Sequence, residues 1–342
     1  MDSRLLACLA RGQGLATTVD LRREGFSSRQ ITAWVRGRVL IAVRRGVYTS
    51  AELWESWDEY VARPLARIRA AALTIEIPFV FSHDSAAILH GLPLLRPQDA
   101  AVHLTREDMR GSRVKGGIHH HGARFHESRV RSIGDLEALD PARTVVDIAR
   151  EHGYRAGLVA ADGAMQLGIG REEMRRAAHE MAGWPYSLTV RSVVDDADPG
   201  AESVLETLGR ELLVEAGFTN IETQFPVSVP QGVAWCDLRV GCHVVECDGR
   251  SKSRPVADGG LADRELERIL WDERRRQREV CSVGLGMSRL VWTDYWGDAR
   301  ERAKERLIRE EQVTRQRFGD TLPAHLEEFA QRMRGARYRV AG

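Results

Sequence analysis

Residues 233–247 constrain this chain more than any other stretch. Apolar residues recur there with the two-residue period of a strand, interrupted at Gly241, and two acids, Asp237 and Glu246, fall among them. The alternation predicts a hairpin of residues 233–240 and 242–247. Trp235, Asp237 and Arg239 share one face, away from Leu238 and Val240, while Val244, Glu246 and Asp248 project together from the returning strand. Asp237 and Glu246 are then expected to meet across the hairpin. Carboxylates beside Val244 and Val245 are costly to desolvate unless they are paired or bind a cation, and the obvious ionic partner in sequence is Arg239.

A hard divalent ion meets that cost better. Residues 202–216 read as a helix with Val204, Leu205, Leu208, Leu212 and Leu213 on its apolar side, which leaves Glu202 and Glu206 one turn apart on a shared face. Glu202, Asp237 and Glu246 form the expected ligand set for Mg²⁺ or Mn²⁺, an all-oxygen site suited to phosphodiester hydrolysis. Glu206 is expected instead to pair with Arg210, four residues on.

Charge separates the front of the chain from the rest. Across 342 residues, 50 Lys and Arg face 49 Asp and Glu, a net charge of +1 that gives no global sign of a nucleic-acid or membrane coat. The first fifty residues, in contrast, hold nine Arg and no Lys against Asp2, Asp20 and Glu24, which is nine minus three, or +6. Their pattern is a helix around Leu5, Leu6 and Leu9, a second after Thr17 and Thr18, and a third capped by Ser27 or Ser28. In the third, Ile31, Trp34 and Val35 face inward and Arg29, Thr32 and Arg36 line the outer stripe. A hairpin follows, with Arg44 and Arg45 at its tip. Helix-turn-helix with a wing is the layout, and major-groove contact by the third helix with arginines on flanking phosphates is the expected use.

The middle of the chain, residues 56–195, alternates helical and strand-like pieces and is expected to be an α/β connector. His119, His120 and His121 point to alternate faces of a strand and do not converge on one ion, so they are read as exposed or partly packed. Ser82 is read as an N-cap with Asp84 in the first turn, and residues 140–149 as a capped, buried helix. Five cysteines form no CxxC pair, so neither disulfides nor zinc is expected of them. With no export signal at the start and no membrane-length apolar run, a soluble, cytoplasmic protein without a membrane partner is expected.

Residues 200–298 resemble the PD-(D/E)XK nuclease superfamily, in particular its very-short-patch-repair branch. The residues carrying this are Glu202-Ser203, Gln224, Cys236-Asp237-Leu238, Val245-Glu246-Cys247-Asp248-Gly249, Lys252, the stretch from Trp271 to Arg278, and the stretch from Ser288 to Trp292. The resemblance implies Asp237 and Glu246 as metal ligands supported by Glu202, in a mixed sheet flanked by helices. The superfamily's lysine would fall two residues after Glu246, where Asp248 stands. Asp248, Lys252 and Gln224 are therefore catalytic candidates, and Arg274 and Arg276 are candidates for the phosphate backbone.

Residues 3–170 are similar to the AbiEi-type antitoxin family of winged-helix regulators. The matching residues are Gly25-Phe26-Ser27, Val43-Arg44-Arg45-Gly46-Val47-Tyr48, Ser85-Ala86-Ala87, His90-Gly91-Leu92-Pro93, and the stretch from Pro141 to Asp147. This implies promoter binding or toxin neutralisation, and a context of phage defence or genome maintenance.

The chain is thus expected to be a multidomain α/β protein. A winged helix-turn-helix at 1–55 leads into the connector at 56–195, a restriction-endonuclease-like domain at 200–318 and a helical tail at 319–342. Two functions stand: an Mg²⁺-dependent endonuclease or nickase acting on double-stranded DNA, or a non-enzymatic repressor with a toxin or a second copy as partner.

Overall fold

The structure is a computed structural model and describes residues 2–95, 101–230, 232–249 and 263–340. The protein is a multidomain α/β chain that divides into two compact units, Met1–Ala197 and Asp198–Gly342. Among the described residues no helix is long and apolar enough to cross a membrane.

The first unit begins with helix α1 (Ser3–Arg11), strand β1 (Ala16–Thr17), helices α2 (Thr18–Arg23) and α3 (Ser28–Arg36), and strands β2 (Leu40–Arg44) and β3 (Val47–Ser50). Capping fixes the helix starts. Thr17 with Asp20, and Ser27 with Gln30, each form a reciprocal box in which hydroxyl and N3 side chain satisfy each other's backbone N–H. Leu5, Cys8, Leu9, Leu21, Phe26, Ile31 and Leu40 close a small core, against which Trp34 and Val35 pack. Leu6 is exposed, because Cys8 rather than Leu6 completes the buried stripe with Leu5 and Leu9. The sheet is antiparallel in the order β1-β3-β2, and Gly46 turns the hairpin at φ 85°, a left-handed conformation that favours glycine.

Helices α4 (Ala51–Ser56) and α5 (Ala62–Ala72) lead into a six-stranded mixed sheet. Its strands are β4 (Val80–Phe81), β5 (Val102–Arg106), β6 (Gly111–Lys115), β7 (Ile118–Gly122), β8 (Val130–Ile133) and β9 (Leu136–Leu139), in the order β6-β7-β5-β4-β9-β8. β5 runs parallel to β7 and β4 parallel to β9. Helix α6 (His83–His90) is inserted after β4, and α7 (Pro141–His152), α8 (Tyr154–Gln166), α9 (Arg171–His179) and α10 (Ser187–Asp196) complete the unit. As the apolar pattern of residues 140–149 predicts, Asp140 caps α7, whose Val145, Val146, Ile148 and Ala149 are buried.

The second unit contains α11 (Val204–Glu215), β10 (Glu222–Val229), β11 (Gly232–Val240), β12 (His243–Asp248), α12 (Asp263–Ser282), β13 (Gly286–Val291), α13 (Gly297–Phe318) and α14 (Ala324–Val340). Its sheet has the order β10-β11-β12-β13, antiparallel except for the parallel β12–β13 pair. Phe225, Val227, Cys236 and Val244 pack with Val280 of α12 and with Leu326 and Ala330 of α14. Helix α14 packs on the sheet through Leu326 and Ala330. Helix α11 sits close against the strands: a Cβ at Gly209 would lie 2.7 Å from Cys247 Sγ and 2.9 Å from Leu238 Cδ1.

Candidate functional site

The Asp237 region departs from simple alternation. Cys236 packs with Val280 and Leu326, whereas Leu238 packs beneath α11 at Gly209, so the two-residue period breaks at Asp237. On the neighbouring strand Gln224 has φ 50°, left-handed for a non-glycine residue, and the cross-strand register skips it between Thr223–Leu238 and Phe225–Cys236. The β11–β12 ladder ends at Leu238–Val245. Asp237 and Glu246 therefore do not meet as a cross-strand pair within a regular hairpin. They meet where the two strands cease to pair, with Asp237 Oδ2 accepting the Cys247 N–H at 2.7 Å.

Glu206, Asp237, Glu246 and Asp248 line one cleft together with Arg276 and Arg289, and Glu206 and Asp237 also line an adjoining one with Glu202 and Gln224. The helix carboxylate beside Asp237 is thus Glu206, which the sequence pattern had paired with Arg210. Ser203 is the reason. It caps α11 by accepting the Glu206 N–H at 3.2 Å, so Glu202 lies before the helix and Glu206 occupies its first turn. The Glu206 carboxylate turns back to accept the Glu202 N–H at 2.9 Å and the Gln224 side-chain amide at 2.8 Å. Arg210 Nε instead lies 4.0 Å from Asp198. The Ser-x-x-Glu spacing of a capping box was the signal in the sequence that fixes this arrangement.

Burial pushes the Asp237 carboxyl up to about 7, with the Glu246 charge adding to the rise and the Cys247 N–H opposing it. Burial also raises Glu206. Acids crowded together and stripped of water resist simultaneous ionisation, and a cation relieves both causes. The acids lining this cleft offer carboxylate oxygens, the donor type that hard divalent ions take.

The other candidates divide. Both Arg274 and Arg276 are exposed, but the Arg276 guanidinium lies 3.5 Å from Glu246 Oε1 and donates to the Trp235 carbonyl. Asp248 pairs with Arg289 at 3.4 Å. Arg289 is a cleft residue that its place in an apolar strand does not single out; the β12–β13 register sets it beside Glu246. Lys252 lies outside the described residues.

In the first unit, Arg29, Thr32, Arg36 and Arg45 are exposed. Arg44 is not a free hairpin-tip cation. It donates to Thr74 Oγ1 at 2.8 Å and to the Gly116 carbonyl at 2.9 Å, because the β2 bulge after Ala42 turns it toward the six-stranded sheet. The histidines also differ from expectation. His120 and His121 are buried, and His121 is covered by His83 of α6, on which its ring stacks. Ser82 makes no side-chain cap; its hydroxyl meets His83 Nδ1 at 2.9 Å.

No family model matches the chain. It is 25% identical over 230 residues to uncharacterized protein MT2308 of Mycobacterium tuberculosis strain CDC 1551 and to uncharacterized protein Rv2248 of strain H37Rv, alignments that cover 64% of this chain and 78% of each relative. The crystal structure of RV2827C protein from Mycobacterium tuberculosis is similar at a TM-score of 0.38 and 17% identity, over 56% of this chain and 75% of that one.

Proposed function

We propose that the chain is a DNA-binding, Mg²⁺-dependent endonuclease or nickase, with its active site in the 198–342 unit and a winged-helix DNA-binding module at its front. The observation that carries the reading is the convergence of Glu206, Asp237 and Glu246 on one cleft at the end of the β11–β12 ladder, beside Arg276 and Arg289.

Asp237 and Glu246 would hold the ion, with Glu206 supporting them. Bound there, Mg²⁺ supplies an activated water and neutralises charge on the scissile phosphate. The chain's own groups do the rest. The Cys247 N–H fixes Asp237, and the Gln224 amide fixes Glu206, whose carboxylate would take a proton from the attacking water. Arg276 and Arg289 attract the phosphodiester and stabilise the charge that develops on it. Arg289 also answers the substitution of Asp248 for the superfamily's lysine, since it brings a guanidinium to the same strand end. Outside this cleft, the exposed Arg29, Thr32 and Arg36 of α3, with Arg45 at the hairpin, would grip duplex DNA.

That exposed basic helix also favours a second reading, a repressor that binds double-stranded DNA without cutting it and works with a toxin or a second copy. Incubating the protein with supercoiled plasmid and Mg²⁺ or Mn²⁺ separates the two. The nuclease reading expects nicked or linear product from the wild type and none from Asp237→Asn. Tight, metal-independent binding to the gene's own promoter with the plasmid left intact would favour the repressor.

A further inference from the structure

The first unit gathers imidazoles in its interior with no part in the reading above. His83 opens α6, His103 lies on β5 and His121 on β7, and all three are buried. Parallel pairing of β5 with β7 sets His103 beside His119 and places His121 two residues further along the same strand. The His121 ring stacks on His83 with centroids 3.8 Å apart, and its Nε2 lies 3.0 Å from His103 Nδ1. Ligand nitrogens from all three fall within 4.8 Å of one another. Asp84, His103 and His152 form a second such group that shares His103, and His152 Nε2 meets Asp84 Oδ1 at 2.8 Å.

The geometry points to a divalent transition-metal site, of the zinc class, held by His83, His103 and His121. His103 Nδ1 and His121 Nε2 share a hydrogen bond of 3.0 Å, and two ligands about 2.05 Å from a tetrahedral zinc lie about 3.3 Å apart, so an ion replaces that bond with little movement of the rings. The outer nitrogens have the partners that fix a ligating imidazole. His83 Nδ1 faces Ser82 Oγ, and His121 Nδ1 faces Ser112 Oγ at 3.3 Å, which leaves each Nε2 for the ion. His83 keeps a left-handed φ of 51°, a conformation that costs a non-glycine residue energy and turns its ring toward His121. All-nitrogen donors select Zn²⁺, Co²⁺ or Cu²⁺ over Mg²⁺. Such an ion would pin α6, β5 and β7 together.

The test uses the full chain, stripped with a chelator and titrated with Co²⁺ in excess Mg²⁺, which occupies the oxygen site. One equivalent giving the ligand-field absorption of tetrahedral Co²⁺, displaced by Zn²⁺, is expected. The band persists in Asp237→Asn and disappears in His103→Asn or His121→Asn. Should these variants fail to fold by circular dichroism, X-ray absorption of the zinc-loaded wild type needs no substitution. An imidazole-rich shell is then expected, with a higher Tm for the Met1–Ala197 unit. Wild type that retains no zinc through gel filtration, or holds it in an oxygen-only shell, overturns the site.

Discussion

The carboxylate cleft of the second unit and the imidazole cluster of the first are both built from buried ionisable groups, but they were assembled differently. Asp237 and Glu246 stand nine residues apart on consecutive strands, while the imidazoles come from a helix start and two strands at positions 83, 103 and 121. Burial drives their proton affinities in opposite directions, Asp237 up to about 7 and His103 down to about 4. Each cluster is thereby biased toward its neutral form, one as protonated acid and the other as free base. A cation must displace a proton from the first at neutral pH but not from the second. Donor chemistry adds to the contrast, since oxygen suits Mg²⁺ and nitrogen suits zinc.

The largest expected effect sharpens that contrast. Asp237→Asn or Glu246→Gln should lower plasmid cleavage by about a thousandfold, the several kcal/mol a metal contributes, while folded His121→Asn protein should stay within a few-fold of wild type. Equal losses from both would erase the division of labour between the units.

Next in size is the choice between helix-end carboxylates. Glu206→Gln keeps a side chain that fits the α11 start but removes the charge, and should cost about a hundredfold in cleavage rate, the lower end of what a general base contributes. Glu202→Gln should stay within about twofold. The reverse ranking would return the role to Glu202.

Smaller again are the basic side chains of the first unit. Arg29→Ala and Arg36→Ala should each weaken duplex binding about fivefold in gel shift and lower the salt slope by about one. Arg44→Ala should leave binding near wild type and instead lower the Tm of the Met1–Ala197 unit, because it loses bonds to Thr74 and Gly116.

The smallest effects are in metal-free stability against pH. Asp237 binds protons more tightly folded than unfolded, so its contribution is fully present below pH 3.8 and is lost as pH rises toward 7. Asp237→Asn should therefore raise the Tm of the second unit at pH 8 by about 2–4 °C for each kcal/mol recovered. His103 behaves oppositely: its contribution is present above pH 6.5 and is lost as pH falls toward 4. Calorimetry of the metal-free chain across pH 4–8 measures both signs.

Much of this architecture was legible in the sequence because it is local. The 3.6-residue period of Ile31, Trp34 and Val35 and the Ser27 cap located α3 and its outer face, and alternation located β11 and β12. What alternation could not give was the break at Asp237, which depends on Gln224 in another strand and on α11 pressing close at Gly209. The histidines were missed for a related reason. Considering the neighbours His119, His120 and His121 alone leaves out the partners of His121, which come from β5 and α6 and are brought beside it only by the sheet order. Arg44 went astray because a one-residue bulge reverses the side to which a side chain points.

The most direct test of the carboxylate cleft is Mn²⁺ binding at pH 8, followed by electron paramagnetic resonance, in wild type, Asp237→Asn and His121→Asn. One tightly held ion per chain in wild type and His121→Asn, absent from Asp237→Asn, is the predicted result. Equal Mn²⁺ binding by wild type and Asp237→Asn would contradict the assignment of the site.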